Sequence, residues 1–181
     1  MGPSDEELVR RVQRHDNRHA FAMLVKRYQS EVRNSLRRMT HGDASLADDL
    51  AQETFVRVHR SIHTFRGDSS FRTWVYRVAY RCFLSEIRKS APPLETIEEH
   101  HWVEEQCNEQ DAFMRDFNRA MTMLSAPQRD AVHFSIQRGF AHPDIAEIMG
   151  IPLGTVKTHV MRGRQKLQEM LSDWQEGLSN E

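Results

Sequence analysis

Apolar residues recur every three or four positions along the chain, and no segment alternates apolar and polar residues as a strand would. This pattern predicts an all-α fold with two blocks of helices. In the first block, we expect helices over residues 5–14, 16–39, 45–62 (capped by Ser45) and 71–89. In the second block, we expect helices over residues 112–124, 127–137, 142–149 and 155–171.

The segment between the two blocks differs from both in charge. Pro92 and Pro93 interrupt helical structure, and residues 91–112 hold seven acidic residues with no Lys or Arg. Residues 1–90 hold 17 Lys or Arg against 11 Asp or Glu, although the whole chain has a net charge of −1. We therefore predict two small helical domains, residues 1–90 and 113–181, joined by an acidic flexible linker over residues 91–112.

The second block contains the pattern of a helix-turn-helix motif. Pro143 fits the first turn of a helix over residues 142–149, and Gly150 fits the left-handed position that follows a helix end. Residues 151–154 form a short connection, and Thr155 is expected near the N-cap of the second helix. Motifs of this kind place their second helix in the major groove of DNA.

The second helix of this motif has an apolar arc and a polar arc. The residues expected to be buried are Val156, Val160, Gly163 and Leu167. Those on or beside the polar arc are Thr155, Lys157, Thr158, His159, Arg162, Arg164, Gln165 and Lys166. An isolated helix of this kind would be interpreted as a solvated basic face. Its place after a helix and a glycine-bounded turn instead favours DNA binding, with Thr155, Lys157, Thr158 and Arg162 best placed to contact bases.

The predicted helix over residues 71–89 combines aromatic and basic side chains. We expect Phe71, Trp74, Val75 and Val78 to be core residues because they recur at helical spacing. Aromatic rings can stack on the bases of single-stranded nucleic acid, and guanidinium groups can bind its backbone. The better candidates for such contacts are Arg77, Tyr80, Arg81, Arg88 and Lys89.

The outer face of the helix over residues 45–62 leaves two interpretations open. It combines Val56 with the polar residues Asp48, Asp49, Gln52, Glu53, Arg57 and Arg60. This face is either a solvated one with i,i+4 pairs such as Glu53–Arg57, or a protein-binding surface.

Composition argues against several other classes of protein. The two cysteines imply no disulfide framework, and the chain shows neither a signal-peptide pattern nor a membrane-length apolar run, so we expect a cytoplasmic protein without membrane insertion. His100, His101 and Cys107 match no standard zinc spacing, so we expect no metal site and no cofactor. No phosphate loop, nucleophile elbow or HExxH motif is present, so we expect no catalytic residues.

Two stretches together resemble a known family: SLADDLAQETFVRVHRSIHTFRGDSSFRTWVYRVAYRCFLSEIRK, followed by LSAPQRDAVHFSIQRGFAHPDIAEIMGIPLGTVKTHVMRGRQKL. The chain resembles bacterial RNA polymerase sigma factors of the small, two-domain ECF (extracytoplasmic function) group, from about residue 5 to residue 171. The resemblance implies a factor that binds core RNA polymerase, recognises the −10 and −35 promoter elements and promotes DNA melting. It also implies an anti-sigma partner, and a linker that threads through polymerase channels.

The resemblance implies a role for three groups of residues. The region-two domain would bind the clamp of core polymerase through Asp48, Asp49, Gln52, Glu53, Val56 and Arg57. It would contact the −10 element, including the melted non-template strand, through Phe65, Arg66, Asp68, Ser69, Arg77, Tyr80, Arg81, Ser85, Arg88 and Lys89, and the loop over residues 66–70 would capture a flipped base. The region-four domain would contact the −35 duplex through Thr155, Lys157, Thr158, His159, Arg162, Arg164 and Lys166.

Two positions depart from the pattern of the family. Arg81 stands where the family often has Asn, and Ser85 stands where it often has Asp, so the preference for a −10 sequence is left open. The acidic pair Asp48 and Asp49 is present, which favours ordinary core binding. The alternative is a stand-alone helix-turn-helix repressor or activator, which would bind duplex DNA as a dimer and gives the aromatic, basic helix no role.

Overall fold

The chain folds into helical units, as the spacing of its apolar residues predicts. A computed structural model describes residues 2–90 and 109–172, with side chains described for residues 2–89 and 113–172. Within these ranges there is no β-strand, and the chain divides into two compact units, Met1–Trp102 and Val103–Glu181. The predicted all-α fold with two helical domains is confirmed. Residues 91–108, most of the predicted linker, lie outside the described residues.

The first unit consists of helices α1 (Asp5–His15), α2 (Arg18–Met39), α3 (Ala44–Ser61) and α4 (Phe71–Ser90). A 3₁₀ turn, Ile62–Thr64, continues α3 before the chain reaches the loop that leads into α4. Helix α2 packs against the other three helices, and α3 also packs against α4. The most deeply buried apolar side chains of this unit come from all four helices and the turn: Leu8, Val12, Leu24, Val32, Leu36, Val58, Ile62, Val75 and Tyr76.

Two helix starts in this unit differ from the predicted ones because other side chains supply the caps. Asp16 has a left-handed backbone (φ 46°) and ends α1, so α2 begins only after Asn17, whose side chain accepts a backbone N–H of the first turn. Helix α3 is capped by Asp43 rather than by Ser45, which lies inside the helix. In both cases a carboxylate or amide oxygen satisfies an N–H group that has no partner within the helix.

The second unit consists of α5 (Glu109–Thr122), α6 (Ala126–Val132), α7 (His142–Met149) and α8 (Leu153–Met170). A π-helical segment, His133–Gln137, follows α6 directly. Helix α8 packs against α5, α6 and α7. One cluster of buried residues joins α5, α6 and α8 (Ala120, Met121, Leu124, Val132 and Leu167), and further buried side chains are Phe134, Ile145, Ile148, Val156 and Val160.

The π-helical segment corrects the prediction of one regular helix over residues 127–137. The backbone N–H of Arg138 bonds to the carbonyl oxygen of His133 at 3.1 Å, which is the wider i to i+5 spacing. This turn buries His133 and Phe134 together, and the His133 Nδ1 atom donates to the Gln137 side-chain oxygen at 2.5 Å. The prediction for α5 is also shifted, because the helix covers Glu109–Thr122 rather than residues 112–124.

The contact between α6 and α8 should tolerate no side chain at Gly163. A Cβ atom at this position would lie 2.5 Å from Val132 Cγ2, and Val132 is completely buried. We expect Gly163→Ala to destabilise the second unit by about 1–3 kcal/mol through overpacking. Hydrogen exchange of α6 and α8 peptides measures this, and it should be faster in the variant.

The control is Gly154→Ala in the same helix, where an added Cβ would meet no atom within 4 Å. This variant should keep the exchange rate of the wild type or lower it, since alanine is the better helix former. Equal exchange in Gly163→Ala and wild type would contradict the close packing of α6 on α8.

Candidate nucleic-acid interface

The turn between α7 and α8 has the geometry of a helix-turn-helix. Helix α7 covers His142–Met149, as predicted, and Gly150 follows with a left-handed backbone (φ 67°). The prediction that Thr155 lies near the N-cap is wrong, because α8 begins at Leu153 and Pro152 is the N-cap residue. The carbonyl oxygen of Pro152 accepts the N–H groups of Thr155 (2.9 Å) and Val156 (3.1 Å), so the helix starts without a side-chain cap.

Helix α8 buries one arc and exposes the other, as its sequence predicts. The four residues of the predicted apolar arc, Val156, Val160, Gly163 and Leu167, are all buried. Of the predicted −35 contacts, Lys157, Arg162, Arg164 and Lys166 are exposed, whereas Thr155, Thr158 and His159 are half-buried. The polar arc therefore remains available to a partner of the helix.

The exposed groups of α8 have the chemistry of major-groove recognition. Among the described residues, Lys157, Arg162 and Arg164 take part in no ion pair, so their charges face solvent. Thr158 donates its hydroxyl proton to the carbonyl oxygen of Gly154 at 3.0 Å, which leaves its oxygen free to accept. An arginine fork matches the O6 and N7 acceptors of guanine, and a hydroxyl oxygen can accept from a base amino group.

Met161 lies on the outward-facing side of α8 (the outward arc, which includes the polar arc), and no contact by it was predicted from the sequence. Met161 is 62 % exposed, although it lies on α8 among polar residues. At helical spacing it falls between Lys157 and Gln165, away from the buried arc. An exposed apolar group at this place can contact the methyl group of a thymine. The signal was present in the sequence, because Met161 is the apolar residue of this helix that lies farthest from the buried arc.

In the first unit, the loop that precedes α4 is anchored at both ends. The ring of Phe65 is half-buried and lies 5.6 Å from the ring of Phe71 and 5.5 Å from that of Trp74, measured between centroids. At the other end, the Ser70 hydroxyl oxygen accepts the backbone N–H of Thr73 at 3.0 Å.

Between these two anchors, the predicted base-capturing residues reach the surface. Arg66, Gly67 and Asp68 are exposed and Ser69 is half-buried. Gly67 has a φ of 82°, a conformation that favours glycine and lets the chain reverse direction within a few residues. The loop thus has a fixed base and an exposed tip.

Along α4, the structure separates the predicted contacts by exposure. Arg81, Arg88 and Lys89 are exposed, whereas Arg77 and Ser85 are half-buried. Tyr80 is only 6 % exposed, and its ring centroid lies 6.2 Å from that of Phe83. A base cannot stack on a buried ring, which corrects the expectation that Tyr80 offers a stacking surface. The sequence carried a sign of this, because Phe83 follows Tyr80 by three residues, a spacing that places both rings on the same face of the helix.

The outer face of α3 combines an exposed apolar residue with carboxylates. Asp49 and Gln52 are exposed, and Val56 is 43 % exposed. The predicted pair between Glu53 and Arg57 is present, with an N–O distance of 2.6 Å, and this hydrogen bond lowers the pKa of Glu53.

Asp48, the remaining acid of the predicted polymerase contact, has a partner inside the domain. Both of its carboxylate oxygens accept hydrogen bonds from Arg33 on α2, and these bonds lower its pKa. The pair links α3 to α2 at the surface of the domain. Asp48 is therefore less available to a partner protein than Asp49 one residue later.

A groove between α3 and α4 borders this face, with a volume of about 390 Å³. The lining residues come from both helices: Leu46, Asp49, Leu50, Glu53, Arg57, Cys82, Ser85, Glu86 and Lys89. Burial raises the pKa of the Cys82 thiol, so it is protonated at neutral pH. In the part of the chain that the structure describes, no group of His, Cys, Asp and Glu side chains could hold a metal ion, and no helix is long and apolar enough to cross a membrane.

Comparison with known proteins finds relatives over almost the whole chain. Residues 24–92 match the sigma-70 region 2 family, and residues 114–167 match sigma-70 region 4. The chain is 34 % identical to RNA polymerase sigma-H factor of Pseudomonas aeruginosa, over 92 % of this chain and 93 % of that protein. It is 32 % identical to ECF RNA polymerase sigma-E factor of Haemophilus influenzae, over 93 % of this chain and 95 % of that protein.

The chain belongs to the ECF group of RNA polymerase sigma factors. Among solved structures, it is similar to the sigma factor RpoE of Bartonella quintana, which was crystallised with the anti-sigma factor NepR. That similarity has a TM-score of 0.65 and 27 % sequence identity, and it covers 84 % of this chain and 96 % of the other. The predicted resemblance is thereby confirmed.

Membership of the family gives both units of this sigma factor a task. It is an alternative sigma factor, a DNA-binding regulator that directs core RNA polymerase to −10 and −35 promoter elements and promotes melting. The first unit holds the sigma-70 region 2 match, and the helix-turn-helix lies in the region 4 match. A stand-alone repressor or activator is not favoured, since it would lack a use for region 2.

Proposed function

We propose that this sigma factor works through three separate surfaces, each assigned here by residue. The outer face of α3 binds core polymerase, the loop before α4 with the exposed part of α4 binds the melted −10 element, and the outward arc of α8 binds the −35 duplex. The observation that carries the proposal is the pattern of exposure along α8. One arc of this helix is buried, and the opposite side carries exposed cations that have no partner among the described residues.

The surface proposed for core polymerase is Asp48, Asp49, Gln52, Glu53, Val56 and Arg57. An exposed valine within a ring of charges is typical of a protein interface, where a small apolar centre is surrounded by polar groups. Asp49 and Val56 would contribute most directly, since Asp48 already pairs with Arg33.

The surface proposed for the −10 element centres on the exposed loop tip, Arg66, Asp68 and Ser69, with Phe65 as its anchor. The DNA strand would be held by five residues of α4: Arg77, Arg81, Ser85, Arg88 and Lys89. The buried Tyr80 would support them as a core residue without contacting the strand. Flipping a base out of the stack costs roughly a few kcal/mol, and contacts between the protein and the flipped base must offset this free energy. Positively charged side chains around a fixed loop provide that energy as contacts to the strand.

The surface proposed for the −35 element comprises Thr155, Lys157, Thr158, His159, Arg162, Arg164 and Lys166, to which we add Met161. Arg162 is assigned to a guanine and Arg164 to a phosphate, because Arg162 lies nearer the centre of the outward arc.

The factor would perform no catalysis itself, since core polymerase carries out nucleotidyl transfer, and it would work in the cytoplasm with the polymerase. An anti-sigma factor would hold it inactive by covering these surfaces. This partner is proposed because the similar RpoE was crystallised with one.

Reversing the charge at the proposed polymerase surface should weaken core binding. In Asp49→Lys/Glu53→Lys, two acids of α3 become cations, so we expect core affinity to fall about tenfold or more, as like charges across an interface are costly. Fluorescence anisotropy with labelled sigma factor and purified core polymerase measures the affinity. Glu6→Lys on α1, also an exposed acid, is the control and should bind as the wild type does. Undiminished affinity of the double variant, with its helical circular dichroism intact, would remove core binding from α3.

Two arginines of α8 should fail in different ways when truncated. Arg162→Ala should weaken holoenzyme binding to the −35 element by about 1–3 kcal/mol and relax the preference at one base pair. Arg164→Ala should weaken binding to all DNA sequences alike and reduce the salt dependence of the affinity, as loss of a phosphate contact does. Binding to a set of −35 point variants at two salt concentrations separates the two effects. An unchanged −35 preference in Arg162→Ala would show that the outward arc is wrongly assigned.

A further inference from the structure

Helix α1 reaches the loop before α4 through one side chain. The amide nitrogen of Gln13 donates to the carbonyl oxygen of Ile62 at 2.8 Å and to that of Phe65 at 2.9 Å. These two oxygens lie at the start and just past the end of the 3₁₀ turn. The Ile62 carbonyl oxygen also accepts the backbone N–H of Phe65 at 3.1 Å, so Gln13 adds a second donor to it. The Phe65 carbonyl oxygen, just past the end of the turn, receives a donor from a distant part of the sequence. Gln13 therefore fixes the point at which the chain enters the loop.

The helix that carries Gln13 is itself held firmly. At its start, Asp5 accepts hydrogen bonds from the Tyr28 hydroxyl and from Arg27, both on α2. Along its length, Leu8 and Val12 are almost completely buried. Gln13 thus acts from a fixed support, and a movement of the loop entrance would have to break its two hydrogen bonds.

A neutral amide suits this position better than the alternatives of similar length. One nitrogen carries two N–H groups, which is the number needed for two carbonyl oxygens. A glutamate would turn carboxylate oxygens toward both carbonyls and lose the donors without any change in size. Gln13→Glu therefore tests the two hydrogen bonds specifically, since it removes them and leaves the packing volume unchanged.

We infer that Gln13 is a positioning residue for base capture: it holds the entrance of the loop so that the exposed tip, Arg66 to Ser69, is shaped before DNA arrives. Ser70 holds the exit by capping α4. A loop ordered in advance loses less conformational entropy on binding, so more of its contact energy is available to the captured base. The inference rests on the proposed role of the loop in capturing a flipped −10 base.

The test uses holoenzyme, assembled from core polymerase and all 181 residues of this chain, on pre-opened promoter DNA. Each non-template position of the −10 element is replaced in turn by an abasic site, and the affinity is measured for wild type, Gln13→Glu and Gln29→Glu. Gln29 is an exposed glutamine on α2, so its variant controls for the added negative charge. Binding to the −35 duplex and to core polymerase is measured for the same proteins.

For wild type and Gln29→Glu, loss of the captured base should lower affinity about tenfold, as expected for a base that stacks or hydrogen-bonds with protein. For Gln13→Glu, the loss at that position should shrink to about threefold or less, because the loop no longer holds the base well. Core and −35 binding should stay unchanged. A role confined to fold stability would not produce this effect at one position.

Each other outcome contradicts a different statement. An unchanged position-specific loss in Gln13→Glu would overturn the inference while the loop keeps its role. A uniform loss on every template, including the −35 duplex, would reduce Gln13 to a residue needed for folding only. If the wild type has no sensitive position, base capture by the loop is itself wrong, and the inference fails with it.

Discussion

The packing of one arc of α8 is the constraint on which the proposed recognition of DNA by this helix depends. Val156, Val160 and Leu167 are buried, and Gly163 lies so close to Val132 that even a methyl group would not fit. With this arc fixed, the helix cannot rotate about its axis, and Lys157, Arg162 and Arg164 must face outward. Specific reading of base edges requires such a fixed direction, since each hydrogen-bond donor must meet one acceptor in the groove.

The role proposed for the first unit sets a different requirement, because the flipped base would be held by a loop rather than by a helix face. The loop before α4 is long enough to expose its tip, yet both of its ends are tied to regular structure. Phe65 packs on Phe71 and Trp74, Gln13 bonds to the carbonyl groups at the entrance, and Ser70 caps the following helix. A functional loop on a rigid support is a common solution where precise contacts are needed.

Sequence periodicity predicted the helices and the buried arcs well, because burial of an apolar stripe is a local consequence of the 3.6-residue repeat. It placed α7 correctly and identified the four buried residues of α8. It failed where more than the spacing of apolar residues decides the outcome. The cap of α3 is a choice between two nearby side chains, the π-helical segment replaces the regular spacing with an i to i+5 bond, and Tyr80 is buried although it carries a polar hydroxyl group. The bond from Gln13 to Ile62 and Phe65, about fifty residues away, could not be inferred from spacing at all.

The most direct test of the account is transcription from fragmented genomic DNA of the source organism, with sigma-free core polymerase and with or without this chain. Sequencing of transcript 5′ ends then shows which starts depend on it. We expect new starts that share two upstream elements at a fixed spacing, one for each unit of the chain. Absence of new starts, together with tight duplex binding by the chain alone, would contradict its role as a promoter-specificity factor.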